Sequence, residues 1–180
     1  MTIDTQLFYA LNSFAGKSFY FDYTIFFIAG YLPYFVVAAF AIFLSFSVYP
    51  RQKKWLILAT AAFATIAARL GATELIRFFY HRPRPFVSLQ AHALFVENSW
   101  SFPSGHAIFF FALAASVYGF NKKWGSALYL AAVLIGIARV VAGVHYPSDI
   151  IGGAFIGMLI GYASVYGAKR WVTLPTNQTY

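Results

Sequence analysis

The feature that most constrains this chain is a succession of apolar stretches, each about as long as a helix that crosses a bilayer. Crossing the hydrocarbon core takes roughly 20 apolar residues in helical form, because each residue rises about 1.5 Å and no water is present there to satisfy a free backbone amide. Four or five stretches qualify: residues 23–49, 55–79, 124–144 and 150–166, and 107–120 once Ser104-Gly105-His106 is counted as its lead-in. Only 10% of the residues are charged, against about 25% in soluble domains, and 61% are hydrophobic. The expected fold is all-α, a polytopic transmembrane helical bundle of five to six helices. A length of 180 residues suits one unit, so residues 1–180 are expected to form a single membrane-embedded domain.

Residues 1–20 carry Asp4, Asn12 and Lys17 and lack both a basic start and a small-residue cleavage site, so they do not read as a secretory signal peptide. Leu7, Phe8, Leu11 and Phe14 recur at helical spacing beside Thr5, Asn12 and Ser13. That pattern suggests a short helix lying in the membrane interface, with a loose terminus as the alternative. The absence of cysteine excludes disulfides, thiolate nucleophiles and cysteine metal sites.

The net charge of +8 lies in short groups between the apolar stretches, which points to anionic lipid and away from nucleic acid as a partner. Arg51, Lys53 and Lys54 follow the first stretch, Lys122 and Lys123 the third, and Lys169 and Arg170 the last. Positively charged loops stay in the cytoplasm, and five spans with the N-terminus outside satisfy all three groups at once. Loops 80–103 and 143–147 are then expected to face the periplasm or cell exterior. They hold, or border, His81, Arg82, Arg84, Ser104, His106, His145 and Asp149.

Three clusters carry chemistry. The run from Arg77 to Arg84-Pro85 offers guanidinium groups, which bind phosphate through paired planar hydrogen bonds, or else anchor to lipid headgroups. The run Pro103-Ser104-Gly105-His106 opens an apolar helix, whose free amides and positive dipole end favour an anion; Gly105 lets a phosphate oxygen approach the backbone, while Ser104 is also an ordinary N-cap. In the third cluster Arg139 precedes His145 and Asp149. Pro147 is placed to start a helix, with the Asp149 carboxylate on its first turn able to reach back and orient the imidazole, or simply to cap the helix.

These residues resemble the three motifs of the type-2 phosphatidic acid phosphatase family, which also includes vanadium haloperoxidases. Arg77 with Arg84-Pro85 matches the first, Pro103-Ser104-Gly105-His106 the second, and Arg139 with His145 and Asp149 the third. Two positions depart from the pattern: Arg77 replaces the usual lysine and keeps the charge, whereas Ala138 replaces a serine. The lost hydroxyl is expected to weaken activity without abolishing it. Leu11-Asn12, Ala15-Gly16, Asp22, Tyr31-Leu32-Pro33-Tyr34 and the run from Gly143 to Asp149 are further similar to the bacitracin-resistance type of undecaprenyl-diphosphatase.

The resemblance implies a bacterial plasma-membrane enzyme that hydrolyses a lipid phosphate or diphosphate and recycles the cell-wall lipid carrier. It implies His145 as nucleophile, Asp149 as its orienting carboxylate and His106 as acid and base. Arg77, Arg84, Arg139, Ser104 and the Gly105 amide would hold the phosphate, with no metal, no other cofactor and no obligate protein partner. Hydrolysis of phosphatidylglycerophosphate or phosphatidate is the nearest alternative; a non-catalytic lipid-binding or scramblase-like protein is another.

Four further residues stand out. Arg69 lies inside an apolar stretch, where a bare charge costs several kcal/mol. A structural ion pair with Glu74 or with another helix is expected for it ahead of a substrate contact, because positions five apart suit a direct α-helical pair poorly. His81 and Arg82 are candidate readers of a second phosphate, with headgroup anchoring the preferred role.

Overall fold

The computed structural model describes residues 1–173, all of its regular elements helical. Helix α1 (Ile3–Asn12) is followed by α2 (Phe19–Gly30) and α3 (Leu32–Phe46), which meet at 48°. Next come α4 (Arg51–Ile66), a π-helical segment (Ala67–Ala72) and α5 (Thr73–Phe79), which together form one continuous rod. A short α6 (Pro85–Ser88) lies in the long loop before α7 (Gly105–Tyr118), and α8 (Lys122–Val141) and α9 (Pro147–Thr173) complete the bundle. Arg51–Phe79, Lys122–Val141 and Pro147–Trp171 are each long and apolar enough to cross a membrane, and the bent pair α2–α3 adds a fourth crossing.

Helix α7 has only 14 residues, about 21 Å of rise against a hydrocarbon core of about 30 Å. Eleven of those residues are buried, so other helices surround α7 and lipid does not. A helix that is apolar on every side belongs inside a bundle, and its short ends can then be satisfied by protein. The exposed apolar side chains lie elsewhere: Phe63, Leu70 and Leu75 on the α4–α5 rod, Leu130 on α8 and Phe155 on α9 present a surface suited to acyl chains.

The contact between α7 and α9 depends on small residues. Gly153, Gly157 and Gly161 recur every fourth position along one face of α9, the spacing that brings helix backbones together when no hydrophobic effect separates lipid from protein. A Cβ on Gly157 would sit 2.4 Å from the Ile108 carbonyl oxygen, and one on Gly161 would sit 2.7 Å from that of Ala112. This close seating fixes the start of α7 against the start of α9, where the Ser104 amide donates to the Asp149 carbonyl at 3.1 Å.

The kink between α2 and α3 follows from Pro33. Without an N–H, Pro33 cannot bond the carbonyl four residues back, and its ring crowds that oxygen. The first span begins earlier than expected, at Phe19 and not at residue 23. Helix α1 is neither loose nor merely interfacial. Its Phe8 is fully buried with Val140 and Tyr146, and the Asn12 amide donates to the His92 and Val141 carbonyls at 2.8 and 2.9 Å, while Leu7 and Phe14 stay exposed.

The basic groups gather at one end of the bundle. Lys169 donates to the Gly119 carbonyl at 2.8 Å, and Asn121 donates to the Tyr49 hydroxyl at 2.8 Å, so the segments after α3 and α7 and the end of α9 adjoin. Loop 80–104, the α8–α9 turn and α1 lie at the other end of the same helices. Gly157→Ala is expected to destabilise the detergent-solubilised protein by about 1–3 kcal/mol, because the atom it strikes is backbone and cannot swing away. Thermal unfolding beside Gly167→Ala, whose new methyl meets nothing within 4 Å, checks this; equal midpoints for the two variants would refute the seating.

Candidate active site

The three clusters converge where α7 and α9 begin. A cavity of about 600 Å³ is lined by Arg77 from α5, Gly105 and His106 from α7, His145 from the α8–α9 turn and Glu97 from loop 80–104. Arg69, Asn98 and Ser99 complete its polar side, and Pro33, Tyr34 and Val37 of α3 with Phe109 and Phe110 of α7 form the rest. One side is polar and charged, the other apolar.

His145 is held on both nitrogens. Its Nδ1 lies 3.4 Å from Asp149 Oδ2, and its Nε2 lies 3.2 Å from Arg84 Nη1. Pro147 starts α9 as expected, so Asp149 falls on the first turn and reaches back. The same carboxylate accepts the Tyr146 amide at 2.9 Å, the Ser101 hydroxyl at 2.5 Å and Arg82 Nη1 at 2.6 Å. Four contacts fix a fully buried carboxylate, and burial of a charge is tolerated only with partners of this kind. Asp149 is therefore both a cap and a histidine partner; the two expected roles coexist.

Arg77 lines the cavity, while Arg84 and Arg139 stand behind it and are joined to its wall through Glu97. Arg84 is nearly inaccessible; its Nε donates to the Ser99 carbonyl at 2.7 Å and its Nη1 to the Val144 carbonyl at 2.8 Å. Arg139 donates to the Ala29 carbonyl at 3.3 Å. That carbonyl is the one Pro33 leaves without an amide, so the break between α2 and α3 supplies an acceptor for a buried guanidinium. Arg77 donates to the Pro103 carbonyl at 3.1 Å. The Nε atoms of Arg77 and Arg139 are buried without a protein partner. Ser104 caps α7, accepting the Ala107 amide at 3.4 Å, and Ala138 packs among apolar residues of α2 and α8.

Two of the residues singled out from the sequence stand elsewhere. Arg82 does not line the cavity: it bridges Asp149, Ser148 and Asp4 and lies over the Tyr146 ring at 3.9 Å, so it neither anchors to headgroups nor faces a second phosphate. His81 is exposed and rests against Trp100, with ring centroids 4.8 Å apart. Arg69, by contrast, lines the cavity. It pairs directly with Glu74 at 2.5 Å, because the π-helical segment closes hydrogen bonds over five residues and brings positions five apart onto one face.

Glu97, Ser101 and Asp4 are functional positions that the sequence reading missed. Glu97 joins Arg84, at 2.6 Å, to Arg139. Burial alone would raise its carboxyl, but Arg139 and Arg84 outweigh burial and bring it down to about 2. Burial draws Arg84 down to about 10, with Glu97 opposing, and the group stays charged at neutral pH. Burial, then Arg139 and Arg84, holds His145 well below the usual imidazole range, so the ring is neutral and keeps a lone pair.

A signal for Glu97 did exist in the sequence: the chain has only 5 acidic residues beside 13 basic ones, and one of them sits in the arginine-rich loop. A carboxyl whose folded value is depressed stabilises the fold above its ordinary value of 4.5, and that contribution disappears as the pH falls toward about 2. The thermal midpoint of the native protein is therefore expected to exceed that of Glu97→Gln at neutral pH. The gap should close between about pH 5 and about pH 2, and a gap independent of pH would refute the ion bridge.

Comparison with known proteins matches residues 55–172 to the PAP2 superfamily. The bacitracin transport permease protein BcrC of Bacillus licheniformis is 31% identical over 137 residues, which cover 75% of this chain and 66% of that protein. The undecaprenyl-diphosphatase BcrC of Bacillus subtilis is 34% identical over 96 residues, 53% of this chain and 50% of that protein, so the matched part spans half to just under two thirds of these relatives. The crystal structure of Aquifex aeolicus LpxE superposes with a TM-score of 0.71 at 27% identity, over 92% of this chain and 96% of that one. With the helical bundle, the clustered arginines and the paired imidazole and carboxylate already in place, the match over most of the chain makes this protein a member of the PAP2 superfamily.

Proposed function

We propose that this protein is a lipid phosphatase that hydrolyses undecaprenyl diphosphate to undecaprenyl phosphate at the extracytoplasmic face of the plasma membrane. The observation that carries the reading is a neutral His145, backed by Asp149, 3.2 Å from Arg84 and facing a cavity lined by Arg69 and by Arg77, whose buried Nε has no protein partner. Similarity to undecaprenyl-diphosphatase supports the choice of substrate. The position of the cavity at the end opposite the basic groups supports the choice of face.

In the proposed reaction the His145 Nε2 lone pair forms a bond to the terminal phosphorus. The bond from phosphorus to the lipid-side oxygen breaks, its electron pair stays on that oxygen, and His106 delivers the proton. Water then gives a proton to His106 and its oxygen to phosphorus, the nitrogen–phosphorus bond breaks with its pair returning to Nε2, and phosphate leaves. Arg77, Arg84, Arg139 and the amides at the start of α7 hold the equatorial oxygens, where a charge-dispersed phosphoryl transition state most needs fixed positive groups.

Phosphate release from undecaprenyl diphosphate, phosphatidylglycerophosphate and phosphatidate, measured side by side in chelator, tests the reading. The diphosphate is expected to have the highest kcat/KM, and His145→Ala to lower it by about a thousandfold or more. A preference for phosphatidylglycerophosphate would overturn the substrate assignment. Arg82→Ala acts through Asp149 and not on the phosphate, so it is expected to lower kcat by roughly ten- to a hundredfold, equally on diphosphate and monophosphate substrates. A loss confined to the diphosphate would return Arg82 to the substrate.

A further inference from the structure

One charged group of the cavity has no part in the phosphoryl site described above. Arg69 stands in the π-helical segment of the second span, and its guanidinium lies over the first residue of α7. A Cβ added to Gly105 would meet Arg69 Nε at 2.9 Å and Cζ at 3.3 Å, so the glycine is what admits the guanidinium to this position. Arg69, Gly105 and His106 border the same cavity as His145, and so does Arg77, whose buried Nε has no partner. A guanidinium, a helix start and a second guanidinium therefore converge on one volume, and none of the three can satisfy the others.

Two features set Arg69 apart from the arginines around His145. It is less buried, with 37% of its side chain exposed, and its partner Glu74 is 54% exposed, so the pair lies at the rim of the cavity where a carboxylate can be exchanged for another anion. It is also held by a π-helical segment, an insertion that costs regular hydrogen bonding and is found mostly at functional sites. A plain α-helix would turn positions 69 and 74 away from each other and swing Arg69 off the start of α7.

We propose that Arg69 is the specificity-determining residue for a diphosphate, binding the phosphate that remains on the lipid while the terminal phosphate occupies the arginine cluster at His145. The proposal rests on the phosphatase reading and names the part of the substrate that this rim selects. When the bond between the terminal phosphorus and the bridging oxygen breaks, the electron pair stays on the inner phosphate. The charge that develops there faces Arg69, with His106 beside it to supply the proton. Glu74 holds Arg69 in place while the cavity is empty and gives it up to the inner phosphate. A monophosphate leaves an alcohol and places no such charge at the rim.

The test compares kcat/KM for farnesyl diphosphate and farnesyl monophosphate in the full-length protein and in three variants. Arg69→Gln is expected to lower the diphosphate-to-monophosphate ratio by roughly ten- to a hundredfold, and Arg69→Lys to recover part of it. Glu74→Gln separates a reader from a structural pair, since it breaks the same ion pair from the other side. It is expected to preserve the ratio or raise it through a lower KM for the diphosphate. Equal losses on both substrates in Arg69→Gln, or a Glu74→Gln variant that loses the ratio as Arg69→Gln does, would overturn the proposal. An unmodified protein that releases phosphate from neither substrate would instead overturn the phosphatase reading itself.

Discussion

Everything at the site end of the bundle depends on burying positive charge without a solvent to stabilise it. Arg77, Arg84 and Arg139 are at most 6% exposed, in a chain whose interior is mostly apolar. Charges so placed are tolerated only where donors meet acceptors, and acceptors here come from irregular backbone. Pro33 frees the Ala29 carbonyl, the turn before α9 presents that of Val144, and the segment before α7 presents those of Ser99 and Pro103. The breaks in the helices therefore supply the acceptors that the buried arginines use. A bundle of uninterrupted helices would consume these carbonyls internally and could not hold the arginines.

The scarcity of acids follows from the same constraint. Asp149 and Asp4 share Arg82, Glu97 joins Arg84 to Arg139, and Glu74 meets Arg69. Four of the five acidic residues thus pair with arginines at one end of the molecule, and the fifth, Asp22, accepts the Gly16 amide at 3.0 Å. Each acid cancels part of the cation cluster but not all of it. The Nε atoms of Arg77 and Arg139 are left without a protein acceptor. Arg82, placed behind Asp149, shows the division of labour: it neutralises the carboxylate, so that the carboxylate orients His145 without lending the cavity its full negative charge.

Helical content and the clustering at 77–84, 103–106 and 139–149 were legible in the sequence because they rest on local signals. Apolar length fixes spans, proline fixes a helix start at 147 and a kink at 33, and a serine before glycine marks a cap. Long-range pairings were not legible. Nothing local says that Asn12 will reach Val141, or that Asp4 will meet Arg82 and Ser148, since these depend on how α1 folds back over the α8–α9 turn. The choice of Glu74 over another helix as the partner of Arg69 stayed open for a different reason. The α-helical spacing rule was applied to a segment whose hydrogen bonds close over five residues, and a π-helical segment leaves no compositional mark in Ala67–Ala72. The Gly153, Gly157 and Gly161 series was legible in principle, but glycine in an apolar stretch is easily taken for mere tolerance until the facing backbone of α7 is seen.

The shape of the cavity bears on how the proposed lipid substrate would reach it. Its charged side is built from α5, the start of α7, the α8–α9 turn and Glu97, while its apolar wall is Pro33, Tyr34 and Val37 of α3 with Phe109 and Phe110 of α7. Under that proposal the apolar tail lies along the side between α3 and α7, away from the charged groups. The bend at Tyr31 angles α3 away from the line of α2, so the proline that gives Arg139 its acceptor also shapes the wall along which the tail would lie. One residue thereby shapes both the apolar wall and the surroundings of Arg139. A straight first span, by restoring the amide bond to Ala29, would take from Arg139 the acceptor it uses there.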